Sequence, residues 1–318
     1  MLSIVLFIVG FVFLIKGADL LIDGATSIAA KVKMSSLAIG LTVVAFGTSL
    51  PELVVNVSAS IQDHTGIALS NIIGSNIANI LLILGAASII YPLNVHKGMV
   101  WKGIPFCLLA SVVLLVLVND VFIDGNNISE LTRIDGIVLL FFFIFFIYYT
   151  AHVAKENTES GLSIEIKEYS LLKSMLYIII GLGGTTLGGY WVIGGAVFIA
   201  ELLHVKESII GLTIIAVGTS LPELATSTVA AYKKNVDIAF GNIIGSNIFN
   251  ILMILGVSAL IRPIPVNSKE NVNIIIVGIV TVLLFVTMFT GKRAKLDRWE
   301  GILFILLYVL FIICQFYF

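Results

Sequence analysis

The sequence predicts an all-α polytopic membrane protein: ten transmembrane helices built as two inverted five-helix repeats. Three observations lead there. The chain of 318 residues is 59% hydrophobic and only 12% charged, with a mean hydropathy of +1.11, which excludes a water-soluble globule. Its apolar runs are about 20 residues or longer, enough for a helix to cross about 30 Å of hydrocarbon, and the alternation of a barrel strand is absent. One stretch also occurs twice. Residues 40–85, GLTVVAFGTSLPELVVNVSASIQDHTGIALSNIIGSNIANILLILG, and 211–256, GLTIIAVGTSLPELATSTVAAYKKNVDIAFGNIIGSNIFNILMILG, align without a gap at an offset of 171, with 27 of 46 positions identical.

The N-terminal apolar run lacks a basic leader and a cleavage site and continues through Lys16 and Asp19, so it reads as a retained first span. Spans are expected near 2–30, 37–62, 66–91, 98–119, 134–153, 171–203, 208–231, 236–261, 270–291 and 299–317. They divide the chain into a first five-helix repeat, 1–153, a Lys- and Glu-rich linker, 154–170, and a second repeat, 171–318. The halves also echo each other outside the motif. Pro92 and Pro263 follow the third and eighth spans, and Arg133-Ile134-Asp135-Gly136 opens the fifth as Arg298-Trp299-Glu300-Gly301 opens the tenth.

An odd number of spans per repeat makes the second copy enter the membrane from the opposite side, the arrangement that puts a transport site at the midplane between repeats. Thirteen of the 18 Lys and Arg fall in loops on one side and four on the other. The positive-inside rule makes the basic loops and the linker cytoplasmic and both termini extracellular, in a cell membrane. Trp101 and Trp299, each beside a basic residue, suit interfacial anchoring. Cys107 and Cys314 lie in separate apolar runs and read as buried bystanders, not as a disulfide framework. The four histidines stand singly, with no ligand cluster, and a net charge of −1 gives no case for nucleic acid.

Identity between the copies concentrates in GTSLPEL and NIIGSNI-x-N, not in the apolar filler. Each copy sets a glutamate, Glu52 or Glu223, directly after a proline within an apolar span. Pro51 and Pro222 remove a backbone hydrogen bond and clash with the preceding turn, which Gly47 and Gly218 weaken further. A break is expected there, with a second half-helix starting near Ser49 or Ser220 and carbonyl oxygens freed at membrane depth. Capping is the plainer reading, because S-L-P-E fits a capping box with proline in the first turn. A glutamate near the bilayer centre, however, costs several kcal/mol while a cap returns about 1 kcal/mol. The difference calls for a cation.

Asn71, Ser75, Asn76 and Asn79 form one helical stripe, as do Asn242, Ser246, Asn247 and Asn250. Such a stripe serves as interhelical glue beside the close-packing Gly74 and Gly245, or as further oxygen ligands. Both readings stand for Asn71 and Asn242; Ser75, Asn79, Ser246 and Asn250 point to ligation because they share a repeat with the glutamates. Carboxylates, hydroxyls, amides and carbonyls make a hard oxygen set suited to Ca²⁺ or Na⁺ and not to zinc or copper. Two carboxylates balance one Ca²⁺ or accept several Na⁺ at overlapping positions. Ligands that cannot hold both species at once are the physical basis of antiport.

At these residues the chain resembles the cation/Ca²⁺ antiporter superfamily, specifically its prokaryotic sodium/calcium exchanger branch, over essentially its whole length. The resemblance implies that Glu52 and Glu223 are central Ca²⁺ and Na⁺ ligands and that Thr48 and Thr219 offer backbone carbonyls to Ca²⁺. It further implies that Ala45, Ser49, Ser75, Ala216, Ser220 and Ser246 line outer and inner Na⁺ positions, and that Asn79 and Asn250 border the middle of the site. Asn at both of the last two positions resembles the K⁺-independent type, since K⁺-dependent relatives, and some archaeal ones, carry Asp at the position of Asn250. The resemblance also implies electrogenic exchange, about three Na⁺ per Ca²⁺, at a coupling of about 2.3 kcal/mol per 100 mV, with spans one and six sliding over the rest. Their glycines, Gly10, Gly17 and Gly24 in span one and Gly181, Gly188 and Gly195 among those of span six, fit sliding and static packing equally. Other readings of the same residues are Ca²⁺/H⁺ exchange, with buried glutamates carrying protons, and a passive cation channel. An intramembrane protease would account for the acidic pair but not for the serines and asparagines. Beyond the transported ions and the lipid bilayer, no cofactor, catalytic residue or obligatory protein partner is expected.

Overall fold

The computed structural model describes residues 2–63, 65–119, 129–156, 169–203, 216–290 and 294–317. Helices form where the apolar runs lie. They are α1 (Leu2–Val32), the bent pair α2 (Ser36–Thr48) and α3 (Leu50–Ile61), and α4, which runs from Thr65–Ala78 through a π-helical Asn79–Leu84 into Gly85–Ile90. Next come α5 (Met99–Leu117), α6 (Arg133–Glu156) and α7 (Leu171–Leu202). The second copy of the motif gives α8 (Ala216–Thr219), α9 (Leu221–Tyr232) and α10, which is Val236–Ile248, π-helical Phe249–Ile254 and Leu255–Ile261. Finally α11 covers Ser268–Thr287 and α12 Arg298–Tyr317.

Among the described residues eight helices are long and apolar enough to cross a membrane, or nine when α2 and α3, bent by 46°, count as one span. Of the expected seventh span, residues 208–215 lie outside the described residues, as do residues 157–168 of the linker. Helix α6 continues to Glu156, three residues past the expected end of the first repeat, because Val153-Ala154-Lys155-Glu156 contains no helix breaker.

Burial separates an inner from an outer layer. The apolar windows of α4 and α10 are 78% and 83% buried, against 22% in α6 and α12. The second halves of the two motif copies thus form the centre, and outer helices leave faces such as Ile134, Phe141 and Ile144 exposed, as lipid-facing surface requires. Trp101 and Trp299 are exposed, as interfacial anchors would be. Cys107 is buried, but Cys314 is exposed on α12, correcting the expectation that both are interior. An apolar run fixes only that a helix lies in hydrocarbon; which side faces lipid is set by its neighbours.

Helices α1 and α7 pack backbone to backbone. A Cβ on Gly17 would come within 2.6 Å of Thr185 N, one on Gly181 within 2.6 Å of Leu21 N, and one on Gly188 within 2.7 Å of Gly10 O. The seven-residue spacing of these glycines lays one smooth stripe on each helix, and the two stripes face each other.

Local chemistry sets the helix starts. Ser35 Oγ accepts the Ala38 N–H at 3.2 Å, Asn235 Oδ1 accepts the Ile238 N–H at 3.2 Å, and Asn267 with Glu270 forms a reciprocal capping box. Asp63 and Lys234, 171 residues apart, turn the chain between helices with left-handed φ of 66° and 61°. Two short antiparallel ladders cross between the copies. Leu93-Asn94 (β1) pairs with Lys295-Leu296 (β4), and Glu130-Leu131 (β2) pairs with Ile264-Pro265 (β3).

Candidate functional site

Both breaks in the repeated motif fall at serine. Ser49 has φ −84° and ψ 6°, Ser220 has φ −88° and ψ 9°, and each is followed by a helix with proline in its first turn. Proline is tolerated there because the N–H it lacks would have no partner in any case. Glu52 and Glu223 therefore lie in the first turns of α3 and α9, each 1% exposed, where the helix N-terminus favours negative charge.

The capping box does not form. Neither Ser49 nor Ser220 caps its own helix. Instead each hydroxyl reaches the other copy: Ser49 Oγ donates to Glu223 Oε1 at 3.1 Å, and Ser220 Oγ donates to Glu52 Oε1 at 3.4 Å. The two carboxylates, 171 residues apart in sequence, are thereby drawn to one locus between the copies.

The rest of the motif repeats this exchange. Thr48 Oγ1 donates to Asn242 Oδ1 at 3.0 Å and Thr219 Oγ1 to Asn71 Oδ1 at 3.3 Å. Asn242 also donates to Ser227 Oγ at 3.0 Å. Asn71 and Asn242 are thus the glue between copies, which resolves the alternative left open by their spacing. Asn76 Nδ2 donates to the Asn247 carbonyl and Asn247 Nδ2 to the Asn76 carbonyl, both at 3.2 Å. Asn79 Nδ2 donates to Asn247 Oδ1 at 2.9 Å, and Asn250 Nδ2 to Asn76 Oδ1 at 3.0 Å. The Ser–Glu, Thr–Asn and Asn–Asn bonds between the copies each recur at the same offset, the isologous pattern of a two-fold contact, whereas Asn242–Ser227 has no counterpart among the described residues.

Several buried oxygens stay uncommitted. Glu52 Oε2, Glu223 Oε2, Ser75 Oγ, Asn79 Oδ1 and Asn250 Oδ1 are buried without a hydrogen-bond partner among the described residues. A buried polar atom without a partner carries its full desolvation penalty, about 1–3 kcal/mol and more when charged. The shared identity of these atoms matters: they are hard oxygens, two from carboxylates, and they fit Ca²⁺ or Na⁺. Ser246 Oγ lies 3.4 Å from Glu223 Oε1 and 3.5 Å from the Ala45 carbonyl oxygen, linking Ala45 and Ser246 to the same locus. Ala216 opens α8. Among the described residues no three His, Cys, Asp or Glu side chains cluster as a metal site, in keeping with a site built mainly from hydroxyls and amides around two carboxylates.

Asn76 and Asn247 were visible in the sequence only as members of a polar stripe. Their place at the centre of the contact had a signal, the unbroken NIIGSNI identity, but spacing alone could not separate them from Asn79 and Asn250. The π-helical turns that begin at Asn79 and Phe249 had no signal. A π turn is held by packing around it and not by a residue type, and such turns concentrate at functional sites.

Comparison with known proteins bears on the fold and the family. The chain is 32% identical to the sodium/calcium exchanger MaX1 of Methanosarcina acetivorans, covering 99% of each, and 36% identical to the inner membrane protein YrbG of Escherichia coli, covering 89% of each. A solved structure of the sodium-calcium exchanger NCX_Mj, soaked with zero Na⁺ and Ca²⁺, superposes with a TM-score of 0.84 at 36% identity, over 97% of both chains. The family model described as sodium/calcium exchanger protein matches residues 2–151 and 173–317, nearly the whole of both halves, and this multi-pass membrane protein belongs to that family of transporters.

Proposed function

We propose that the chain is a secondary-active Na⁺/Ca²⁺ antiporter working by alternating access, with Glu52 and Glu223 as its central ion ligands. The observation that carries this reading is the pair of buried carboxylates brought together by crossed serine bonds, each with one oxygen uncommitted. Ser49, Ser220, Ser75, Ser246, Asn79 and Asn250 surround them, with carbonyl oxygens of Ala45, Ala216, Thr48 and Thr219 completing the set. Ca²⁺ is balanced by both charges, and Na⁺ ions divide the same oxygens among them, so binding of one species excludes the other.

The same reading takes the molecule as ten spans in two inverted five-helix repeats, 1–153 and 171–318. The reciprocal bonds at an offset of 171 support it. So do the ladders, in which the strand after the third span of each copy pairs with the strand before the fifth span of the other. Both termini are then extracellular and the basic loops cytoplasmic. Helices α1 and α7, joined along their glycines, form the unit that moves over the rest. Asparagine at 79 and 250 supports exchange without K⁺. A ratio of about three Na⁺ per Ca²⁺ would move one net charge per cycle, worth about 2.3 kcal/mol per 100 mV.

The test is radioactive Ca²⁺ uptake into Na⁺-loaded proteoliposomes diluted into Na⁺-free buffer, with K⁺, pH gradient and membrane potential varied separately. Uptake that requires internal Na⁺, ignores K⁺ and the pH gradient and responds to potential is expected. Uptake driven by a pH gradient alone would make the site a proton exchanger, and uptake without any counter-ion would make it a pore.

A further inference from the structure

Four buried asparagine amides form a closed relay between the copies, and its logic is fixed by two atoms that can act only one way. The backbone carbonyl of Asn247 can only accept, so the Asn76 atom 3.2 Å from it is Nδ2. Asn76 Oδ1 is therefore the atom facing Asn250, which must present Nδ2 across 3.0 Å. Asn250 Oδ1 is left over, buried and without a partner. The mirror arm repeats the sequence of choices: the Asn76 carbonyl fixes Asn247 Nδ2, Asn247 Oδ1 accepts from Asn79 Nδ2 at 2.9 Å, and Asn79 Oδ1 is left over. All four residues are at most 1% exposed, so water does not blur the assignment.

We propose that Asn76 and Asn247 are positioning residues that act through Asn250 and Asn79, turning the amide oxygen of each toward bound ion and keeping both positions electrically neutral. The proposal rests on the ion-exchange reading of the site. Its physical basis is the cost of the alternative. A flipped Asn250 would set its Oδ1 against Asn76 Oδ1, two acceptors with no proton between them, and Asn76 cannot turn in compensation without losing the Asn247 carbonyl. An ionised carboxylate at 250 would meet the same obstacle. The relay thus selects a side chain that donates on one side and accepts on the other, which asparagine does and ionised aspartate does not.

The experiment is a double-mutant cycle on exchange kinetics. KM for Ca²⁺, KM for Na⁺ and kcat are measured in proteoliposomes for the parent, Asn250→Leu, Asn76→Leu and the double variant, with thermal melting of each protein. Each single variant is expected to raise KM for Ca²⁺ about tenfold, with a smaller change in kcat. The double variant should be no weaker than Asn250→Leu alone, because Asn76 has nothing left to orient. A double variant in which the two effects multiply would overturn the relay, as would a parental KM in Asn76→Leu. Should Asn76→Leu fail to fold, Asn247→Leu with Asn79→Leu puts the same question to the mirror arm, and Asn76→Ala puts it with less steric change. Exchange by the parent, read in the same assay, reports the Na⁺/Ca²⁺ reading separately from the relay.

Discussion

The two copies of the repeated motif make the same bonds at the centre and different ones at their flanks. In the first copy α2 lies tight against α10: a Cβ on Gly245 would stand 2.6 Å from both the Ala45 Cβ and the Leu41 carbonyl oxygen. The equivalent glycine under the second copy, Gly74, meets nothing within 4 Å among the described residues. Gly241, Asn242 and Gly245 are buried, whereas Ser70 is exposed and Asn71 and Gly74 are partly exposed. Ser246 touches Glu223 and Ala45, while its counterpart Ser75 makes no hydrogen bond. Among the described residues, the contacts of the two flanks differ around one symmetric centre.

The flanks also differ in how α1 and α7 are tied down. Lys233, at the end of α9, pairs with Asp19 and Asp23 of α1, each at 2.6 Å. The positions equivalent to those three hold Gln62, Tyr190 and Gly194. Tyr190 is exposed, and among the described residues the side chain of Gln62 bonds within its own turn, to Ser58 at 2.9 Å. A turn shared by both copies has diverged as well: Arg262 pairs with Asp63 at one end, while at the other Lys234 lies 6.0 Å from the Tyr91 ring. Duplication fixes which positions meet, and each end has then settled on its own chemistry.

The largest expected effect tests the symmetric centre. Glu52→Gln and Glu223→Gln should each abolish Ca²⁺ exchange in a folded protein, since removal of either charge leaves one carboxylate for a divalent ion; retained exchange in either variant would refute the site. The flanks come next. Gly245→Ala should destabilise the protein by about 1–3 kcal/mol through overpacking, whereas Gly74→Ala should stay within about 0.5 kcal/mol. Melting in detergent decides this, and equal losses would erase the distinction between flanks.

A smaller effect is expected at the one-sided tie. Lys233→Gln should lower hydrogen-exchange protection near residues 17–24 by about fivefold, equivalent to about 1 kcal/mol for a partly buried ion pair, while Gln62→Ala should leave residues 188–196 unchanged. The smallest concerns His96, whose imidazole pairs with Asp237 at 3.3 Å and is half exposed. The hydrogen bond to Asp237 raises its pKa above 6.5. A native pKa raised above the unfolded one gives stability that is fully present below about pH 6.5 and lost as pH rises through the native value. His96→Gln should therefore lower the melting temperature by about 1 °C at pH 6 and not at pH 9, given screening of so exposed a pair. The same loss at both pH values would mean that packing and not charge is involved.

The membrane environment, the described helices, the duplication and the residue types of the candidate site were all legible in the sequence. Each of these is written in short-range terms: apolar length, a proline before a glutamate, a stripe at helical spacing. The tertiary structure alone decided what those residues touch. Ser49 offers the same capping pattern whether it bonds its own helix or Glu223, and only the packing of the second copy against the first selects the latter. Asn71 could have been a ligand or glue until Thr219 was found beside it. Asn76 and Asn79 differ by one turn in sequence and by their whole hydrogen-bond role in the fold. Gly74 and Gly245 share the NIIGSNI context, yet among the described residues only Gly245 is packed against a neighbour. Where the two copies are identical, as in NIIGSNI, the same local preferences are written twice, so a difference between them there comes from long-range contacts, which local patterns do not encode.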